Sequence, residues 1–248
     1  MGAAPRPHSA ANKVSVIIPC LDEEKAIGSV VRDVLGHHVF EVIVVDGGSK
    51  DRTAELAQEA GAHVVSETQR GYGRAMLAGL SAVDANAEVV LFLDGDGSDR
   101  PEMIPSLLAP IVQDQADFVL GSRLRGDREP GSLSLPQVLA GHVAGLAMKL
   151  LYGVRFTDMS PFRAIRRSSL DGLGMKEETF GWNLEMQMRA AAAGLRIVEI
   201  PVGQRRRAGG VSKVSGNLGV SLWATWTLAE TFLRLARTLR RENQASRR

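Results

Sequence analysis

Between Val14 and Leu120 the chain alternates short, β-branched apolar runs with longer stretches of helical periodicity, and nothing else in it narrows the fold as far. Residues 14–19, 41–46, 63–66, 89–93 and 118–120 read as strands. Residues 24–35, 51–60, 74–83 and 101–113 read as the helices between them, with Ile27, Val30, Val31, Val34 and Leu35 marking the inner face of the first. The run Val89-Val90-Leu91-Phe92-Leu93 has no polar alternation, so it suits a strand covered on both faces. Repeated strand–helix–strand order implies parallel strands joined by right-handed crossovers. The expected fold class is α/β, a doubly wound, Rossmann-like, mostly parallel sheet with flanking helices. The second half is less regular. Residues 127–136 are rich in Gly, Pro and Ser and read as a mobile loop. Helices are expected at 137–152 and 183–193, and strands at 162–165 and 196–200.

Open parallel sheets bind ligands at the carboxyl ends of their strands, and acids collect there. Pro19-Cys20-Leu21-Asp22-Glu23 follows the first strand, Asp46-Gly47-Gly48-Ser49-Lys50-Asp51 the second, Asp94-Gly95-Asp96 the fourth and Gly121-Ser122-Arg123 the fifth. Two carboxylates one glycine apart can share a divalent cation, and the cation can hold a diphosphate. An isolated pair of this kind more often caps a helix or solvates a turn. Here Ser98, Asp99 and Pro101 already supply a cap and first turn, which leaves Asp94 and Asp96 for a ligand. Gly95 and Gly97 keep the backbone open to it. Asp46 suits a base or ribose; Asp51 is equally well read as the cap of the helix it starts. Gly71-Tyr72-Gly73 is a poor dinucleotide fingerprint, because the third glycine is misplaced and no strand directly precedes it. It fits better as a loop lying close to a nucleotide. There is no Walker A sequence.

With 248 residues and an apolar fraction of 44%, the chain can build one large α/β domain. Its net charge of +2 hides an asymmetry: arginines crowd the last third, including Arg205-Arg206-Arg207 and Arg234, Arg237, Arg240, Arg241, Arg247 and Arg248. That points to an anionic partner. Few aromatics accompany the arginines, so nucleic acid is not expected. The single cysteine, Cys20, allows no internal disulfide and reads as a small buried hydrophobe in a reducing compartment. Residues 1–12 read as a disordered leader without a secretory core. No apolar stretch approaches the ~20 residues of a membrane span. Residues 216–241 read as an amphipathic helix, with Leu218, Leu222, Trp226, Ala229, Leu233 and Ala236 on one stripe, broadened by Val220, Trp223, Leu228, Phe232, Leu235 and Leu239. Such a helix suits a membrane interface, or packing on the sheet or a partner, equally well. Residues 242–248 form a basic tail.

Taken in order, Pro19…Glu23, Asp46-Gly47-Gly48-Ser49-x-Asp51, Gly71-x-Gly73, Asp94-x-Asp96 and Gly121-Ser122-Arg123 resemble a family 2 glycosyltransferase of the GT-A fold. Asp158-Met159-Ser160-Pro161-Phe162-Arg163 and Arg207-x-x-Gly210-x-Ser212-Lys213 resemble its polyprenyl-phosphate branch, which includes the dolichol-phosphate mannose synthases. The resemblance runs from about Val14 to Lys213. Asp22 stands where the family usually has Asn, and Val45-Asp46-Gly47-Gly48-Ser49 replaces the usual Asp-Asp-Gly-Ser. Both departures fall where the nucleotide is expected.

The resemblance implies one domain at 13–215. Residues 13–123 would form its nucleotide-sugar half and 124–215 its acceptor half. It implies single-displacement, inverting transfer of a sugar from a UDP- or GDP-linked donor. Pro19, Glu23, Asp46, Gly48, Ser49, Gly73, Asp94 and Gly95 would bind the nucleotide sugar. Asp94 and Asp96 would hold Mg²⁺ or Mn²⁺, with Asp96 catalytic. A polyprenyl phosphate is already substantially ionised at neutral pH and needs only cations to place it: Arg123, Arg163, Arg207, Ser212 and Lys213 are the candidates. A hydroxyl acceptor would need a general base. Glu185, in Gly181-Trp182-Asn183-Leu184-Glu185, is the first candidate, though its charge also suits a helix start. Asp158 is the second, and could equally orient Arg163. Trp182 could line the site or simply pack. Transfer to a soluble hydroxyl, a sugar-phosphate nucleotidyltransferase and a non-enzymatic nucleotide-sugar sensor are the competing readings. The expected location is cytoplasmic, with peripheral contact at the cytoplasmic membrane face.

Overall fold

The computed structural model describes residues 13–133, 135–209 and 218–245, excepting the side chains of 135–137, 140, 218–228 and 243–245. The expected leader, Ser212, Lys213 and the last three residues of the basic tail lie outside the described residues.

Seven strands form one sheet: β1 (Val14–Cys20), β2 (Glu41–Asp46), β3 (His63–Ser66), β4 (Val89–Phe92), β5 (Phe118–Ser122), β6 (Arg163–Arg166) and β7 (Ile197–Pro201). Their spatial order is β3-β2-β1-β4-β6-β5-β7. Every pairing is parallel except those of β6, which runs antiparallel between β4 and β5. The helices are α1 (Ile27–Leu35), α2 (Thr53–Glu59), α3 (Tyr72–Ala82), α4 (Ile104–Val112), α5 (Leu135–Tyr152), α6 (Arg167–Leu173), α7 (Trp182–Ala192) and α8 (Leu218–Ala245); a 3-10 turn at Pro101–Met103 leads into α4. This is the GT-A architecture, a mostly parallel sheet with helices on both faces.

The two-residue repeat of the strands divides the core. Val14, Val16 and Ile18 of β1 face one layer with Ile27, Val30, Val31 and Val34 of α1 and Ile104, Leu107 and Ile111 of α4. Ile17, Ile43 and Val45 face the opposite layer with Met76 of α3, Trp182 and Met186 of α7, and Leu235 and Leu239 of α8. Because side chains alternate across a strand, both sets must be apolar. That is why the strands read as unbroken hydrophobic runs.

Three features depart from the expected layout. The antiparallel β6 begins, rather than ends, at the edge where β4 and β5 finish. Helix α6 was not anticipated; only Leu170 and Leu173 are buried in its polar sequence. The loop before α5 is tied down, not free: the Glu129 amide donates to the Gln204 carbonyl (2.9 Å), the Gln204 amide to the Asp127 carbonyl (3.1 Å) and the Arg206 amide to the Glu129 carboxylate (2.7 Å). The described half of α8 packs as an ordinary helix. Thr231, Leu235 and Leu239 are buried, while Leu233 on the neighbouring stripe is exposed. Ion pairs Arg234–Glu177 and Arg189–Glu242 fasten it. No helix among the described residues is long and apolar enough to cross a membrane.

Candidate functional site

The carboxyl ends of β1 and β2 are cross-braced. The Asp22 amide donates to Ser49 Oγ (2.9 Å), the Lys50 amide to Asp22 Oδ1 (2.8 Å) and the Glu23 amide to Thr53 Oγ1 (2.7 Å). Asp22 adopts φ 53°, a left-handed conformation that Asn and Asp tolerate best. Its acidic side chain is therefore a bracket. The Asp46 carboxylate, beside Cys20 in the sheet register, accepts the amides of Gly48 (3.3 Å) and Ser49 (3.2 Å) and shapes the turn that follows. Pro19 sits within β1 opposite Val45. Asp51 acts as a local tie: its carboxylate accepts the Thr53 amide (3.0 Å) and hydroxyl (2.5 Å) and the Glu24 amide (3.2 Å).

At the end of β4, three aspartates converge. Asp99 was expected to cap a helix. Instead it is buried, and its Oδ2 accepts the Asp94 amide (2.9 Å). Its Oδ1 is a buried acceptor without a partner among the described residues. Burial pushes Asp99 up to about 7; the Asp94 amide opposes this and the negative charge of Asp96 adds to it. Asp94 is also raised well above the carboxylate range, first by burial, then by repulsion from Asp96 and Asp99. Asp96 accepts the Ser98 amide (2.9 Å). Burial and neighbouring carboxylates thus disfavour the ionised forms of Asp94 and Asp99, and a cation beside them would favour those forms.

Two arginines supply part of that positive charge. The 205–208 segment runs along 96–98, with the Arg205 amide donating to the Ser98 carbonyl (2.9 Å) and the Ala208 amide to the Asp96 carbonyl (3.0 Å). That places the Arg207 guanidinium between Asp96 (2.9 Å) and Glu23, so one side chain spans the ends of β4 and β1. Arg123, after β5, is gripped by Asp158 at the start of the segment into β6. Its Nε and Nη2 donate to the two carboxylate oxygens at 2.8 and 2.7 Å, and its amide adds a third bond at 2.9 Å. Burial alone would raise Asp158. The Arg123 charge and hydrogen bonds outweigh it and hold the carboxyl below its ordinary range.

The same geometry shows what the other candidate residues contact. Arg163 is fully buried in β6. Its guanidinium donates to the Ser160 and Asn183 carbonyls and lies 5.8 Å from the Phe118 ring centre. Glu185 is buried, paired to Arg189 (2.8 Å), and accepts the amides of Lys176 (3.0 Å) and Glu177 (2.7 Å). Those bonds occupy both oxygens of the carboxylate. Asp158 is likewise committed, and to Arg123 rather than Arg163. Trp182 is fully buried and meets the Phe92 ring edge-on at 5.0 Å. A Cβ at Gly73 would collide with the Glu177 carbonyl and one at Gly95 with Cys20 Sγ. The close approach these glycines permit is to the chain itself. Sequence reasoning missed Asp99 because a serine–aspartate–proline sequence is an ordinary helix start, and missed the Arg207–Glu23 pair because 184 residues separate them.

The model of glycosyl transferase family 2 matches residues 15–174. An uncharacterized glycosyltransferase of Mycobacterium tuberculosis is 37% identical over 217 residues, covering 87% of this chain and 95% of the relative. A dolichyl-phosphate hexose transferase of Haloferax volcanii is 34% identical over 201 residues, covering 79% and 84%. Among solved structures, glucosyl-3-phosphoglycerate synthase from Mycobacterium tuberculosis, in complex with Mn²⁺, UDP-glucose and phosphoglyceric acid, superposes with a TM-score of 0.74 at 23% identity, over 92% of this chain and 80% of that one.

Proposed function

The chain belongs to glycosyl transferase family 2 and is a glycosyltransferase, and on that premise we propose that it moves a hexose from a UDP- or GDP-linked donor onto a polyprenyl phosphate. The observation that carries the reading is the cluster of Asp94, Asp96 and Asp99 at the end of β4, faced by Arg207. An acceptor phosphate oxygen attacks the anomeric carbon with inversion, and the bond to the diphosphate breaks with its electron pair leaving on the nucleoside diphosphate.

The donor set suits a hard divalent cation. It offers only oxygen, Asp99 Oδ1 has no partner among the described residues, and the Asp94 carboxyl, raised first by burial, would ionise more readily beside a cation. No group of three metal-ligating side chains occurs among the described residues. A divalent ion bound to a nucleotide can be held by one or two carboxylates, with phosphate oxygens and water completing its shell. When held by Asp94 and Asp96, Mg²⁺ or Mn²⁺ would neutralise the departing diphosphate. Arg123 contributes a charge fixed in place by Asp158. Arg207 contributes one shared between Asp96 and Glu23, and Ser212 and Lys213 follow it in the sequence.

A phosphate acceptor is favoured over a hydroxyl because both base candidates, Glu185 and Asp158, are engaged in several hydrogen bonds. A phosphate monoester, with its second pKa near ~6, requires no base at neutral pH. The name of the Haloferax relative, a dolichyl-phosphate hexose transferase, supports the same acceptor class. The test is sugar release from a panel of UDP- and GDP-sugars with Mn²⁺ or Mg²⁺, in the presence of undecaprenyl phosphate or 3-phosphoglycerate. Turnover with the lipid phosphate is expected. Turnover only with phosphoglycerate would replace the acceptor, and pyrophosphate release from a nucleoside triphosphate would replace the reaction class.

A further inference from the structure

Helix α5 faces the wrong way for an ordinary surface helix. Leu139, Val143, Leu146 and Leu150 recur along one stripe and are 60–79% exposed, with Leu151 beside them at 54%. At 1.5 Å per residue this ridge is roughly 17 Å long. The inward face is made of Gly141, Gly145 and Met148, all buried. A Cβ at Gly145 would collide with the Phe156 carbonyl. The glycine face must therefore lie against the 156–157 backbone, and that fixes the helix rotation with the leucines outward. Contiguous exposed apolar surface of this kind marks an interaction site.

The chemistry of the rim selects the occupant. Helix α5 contains no carboxylate in 18 residues. Its exposed charged residue is Lys149, and the exposed Arg155 follows it. Helix α8, which packs on α5, carries exposed Arg237, Arg240 and Arg241 against exposed Glu230 and Glu242, a net positive balance. An apolar stripe edged by cations is the pattern of a helix that lies in the interface of an anionic bilayer. A second copy fits less well. The ridge exposes about three whole leucine side chains' worth of surface, well under the ~800 Å² per partner of a stable protein interface.

We propose that the α5 ridge, Leu139, Val143, Leu146, Leu150 and Leu151 with Lys149 and Arg155 at its rim, seats this protein on an anionic lipid bilayer. The proposal does not depend on the acceptor assigned above, so it is tested with neither donor nor acceptor present. The full chain is sedimented with phosphatidylcholine vesicles, with and without phosphatidylglycerol. Binding to the anionic vesicles is expected, at least ~10-fold weaker for the double variant Leu146→Glu/Leu150→Glu, with unchanged circular dichroism because both sites are exposed. Lys149→Glu alone should weaken binding only where phosphatidylglycerol is present, and this single variant decides the question should the double variant fail to fold. Equal binding of wild type and variants, or no binding by the wild type, overturns the proposal. So does light scattering that shows a wild-type dimer and a monomeric double variant, which would assign the ridge to a second copy.

Discussion

Replacing Glu185 by Ala separates a clamp from a catalyst. In the folded protein this carboxylate is buried, bonds Arg189 at 2.8 Å and accepts the amides of Lys176 and Glu177 at 3.0 and 2.7 Å. Removing it strands a buried guanidinium whose other carboxylate partner, Glu242 at 3.3 Å, is half exposed. It also orphans two backbone donors. Breaking a buried pair by deleting one partner costs about 3–5 kcal/mol. For a chain of this length each kcal/mol moves the melting temperature by roughly 2–4 °C, so a drop of roughly 6–20 °C is expected in differential scanning calorimetry. Turnover at 15 °C, where the variant is still folded, should stay within about threefold of wild type, because the carboxylate touches no reacting atom. Glu185→Gln, which keeps an acceptor oxygen, should fall between. An unchanged melting temperature together with a loss of ~10²-fold or more in kcat would refute the clamp and restore the general base.

Asp96→Asn should lower kcat by at least ~10²-fold while leaving the melt intact, with Mn²⁺·UDP binding lost in calorimetric titration; full activity would remove its metal role. Gly73→Ala should destabilise by about 1–3 kcal/mol by overpacking against the Glu177 carbonyl; if instead stability holds and only donor KM rises, the glycine serves the nucleotide. Because Asp158 is held below its ordinary range by Arg123, the unfolded state takes up its proton first as pH falls. The stability from this pair is thus fully present above a pH of about 4 and is lost below it. The melting-temperature gap between wild type and Asp158→Asn should be wide at pH 6 and close towards pH 3; a gap that persists at pH 3 would argue against the ion pair as its source.

The first 120 residues were legible because strand and helix each carry their own period there. Every central strand is apolar at consecutive positions, and the parallel order follows from the helices between them. The antiparallel β6 was not legible. Arg163-Ala164-Ile165-Arg166 reads as a half-polar edge, yet its first arginine is buried beneath α7 by bonds to the Ser160 and Asn183 carbonyls. Its direction has a consequence for the site: the chain enters β6 at the edge where β5 ends, and this alone sets Asp158 beside Arg123. Helix α5 shows the complementary limit. Its leucines give the stripe a buried helix would have, but the rotation is decided by two glycines against a backbone 11 or more residues away in sequence. Hydrophobicity records which residues share a face, while close packing decides which face turns in.

The carboxylates show why residue type locates a site without assigning its parts. Asp22, Asp51, Asp94, Asp99, Asp158 and Glu185 are all acids near strand ends or helix starts, and nothing in their local sequence ranks them. What separates them is whether their lone pairs are already occupied. Asp22 and Asp51 are taken by backbone amides of neighbouring loops, Glu185 by two amides and an arginine, and Asp158 by three donors of Arg123 and the Met159 amide. Against burial, hydrogen bonds hold Asp51 and, with the Arg123 charge, Asp158 below their ordinary range, and the oxygens of Asp22 and Glu185 are already committed to donors of the chain itself. Asp94 and Asp99 are the reverse: burial raises both, the charge of Asp96 raises both further, and one Asp99 oxygen lacks any partner among the described residues. A cation near them lowers the energy of the folded state, whereas at the other acids it would compete with bonds already made. On the function proposed above, a divalent ion would be placed less by the Asp-x-Asp spacing than by where carboxylate oxygens are left without donors.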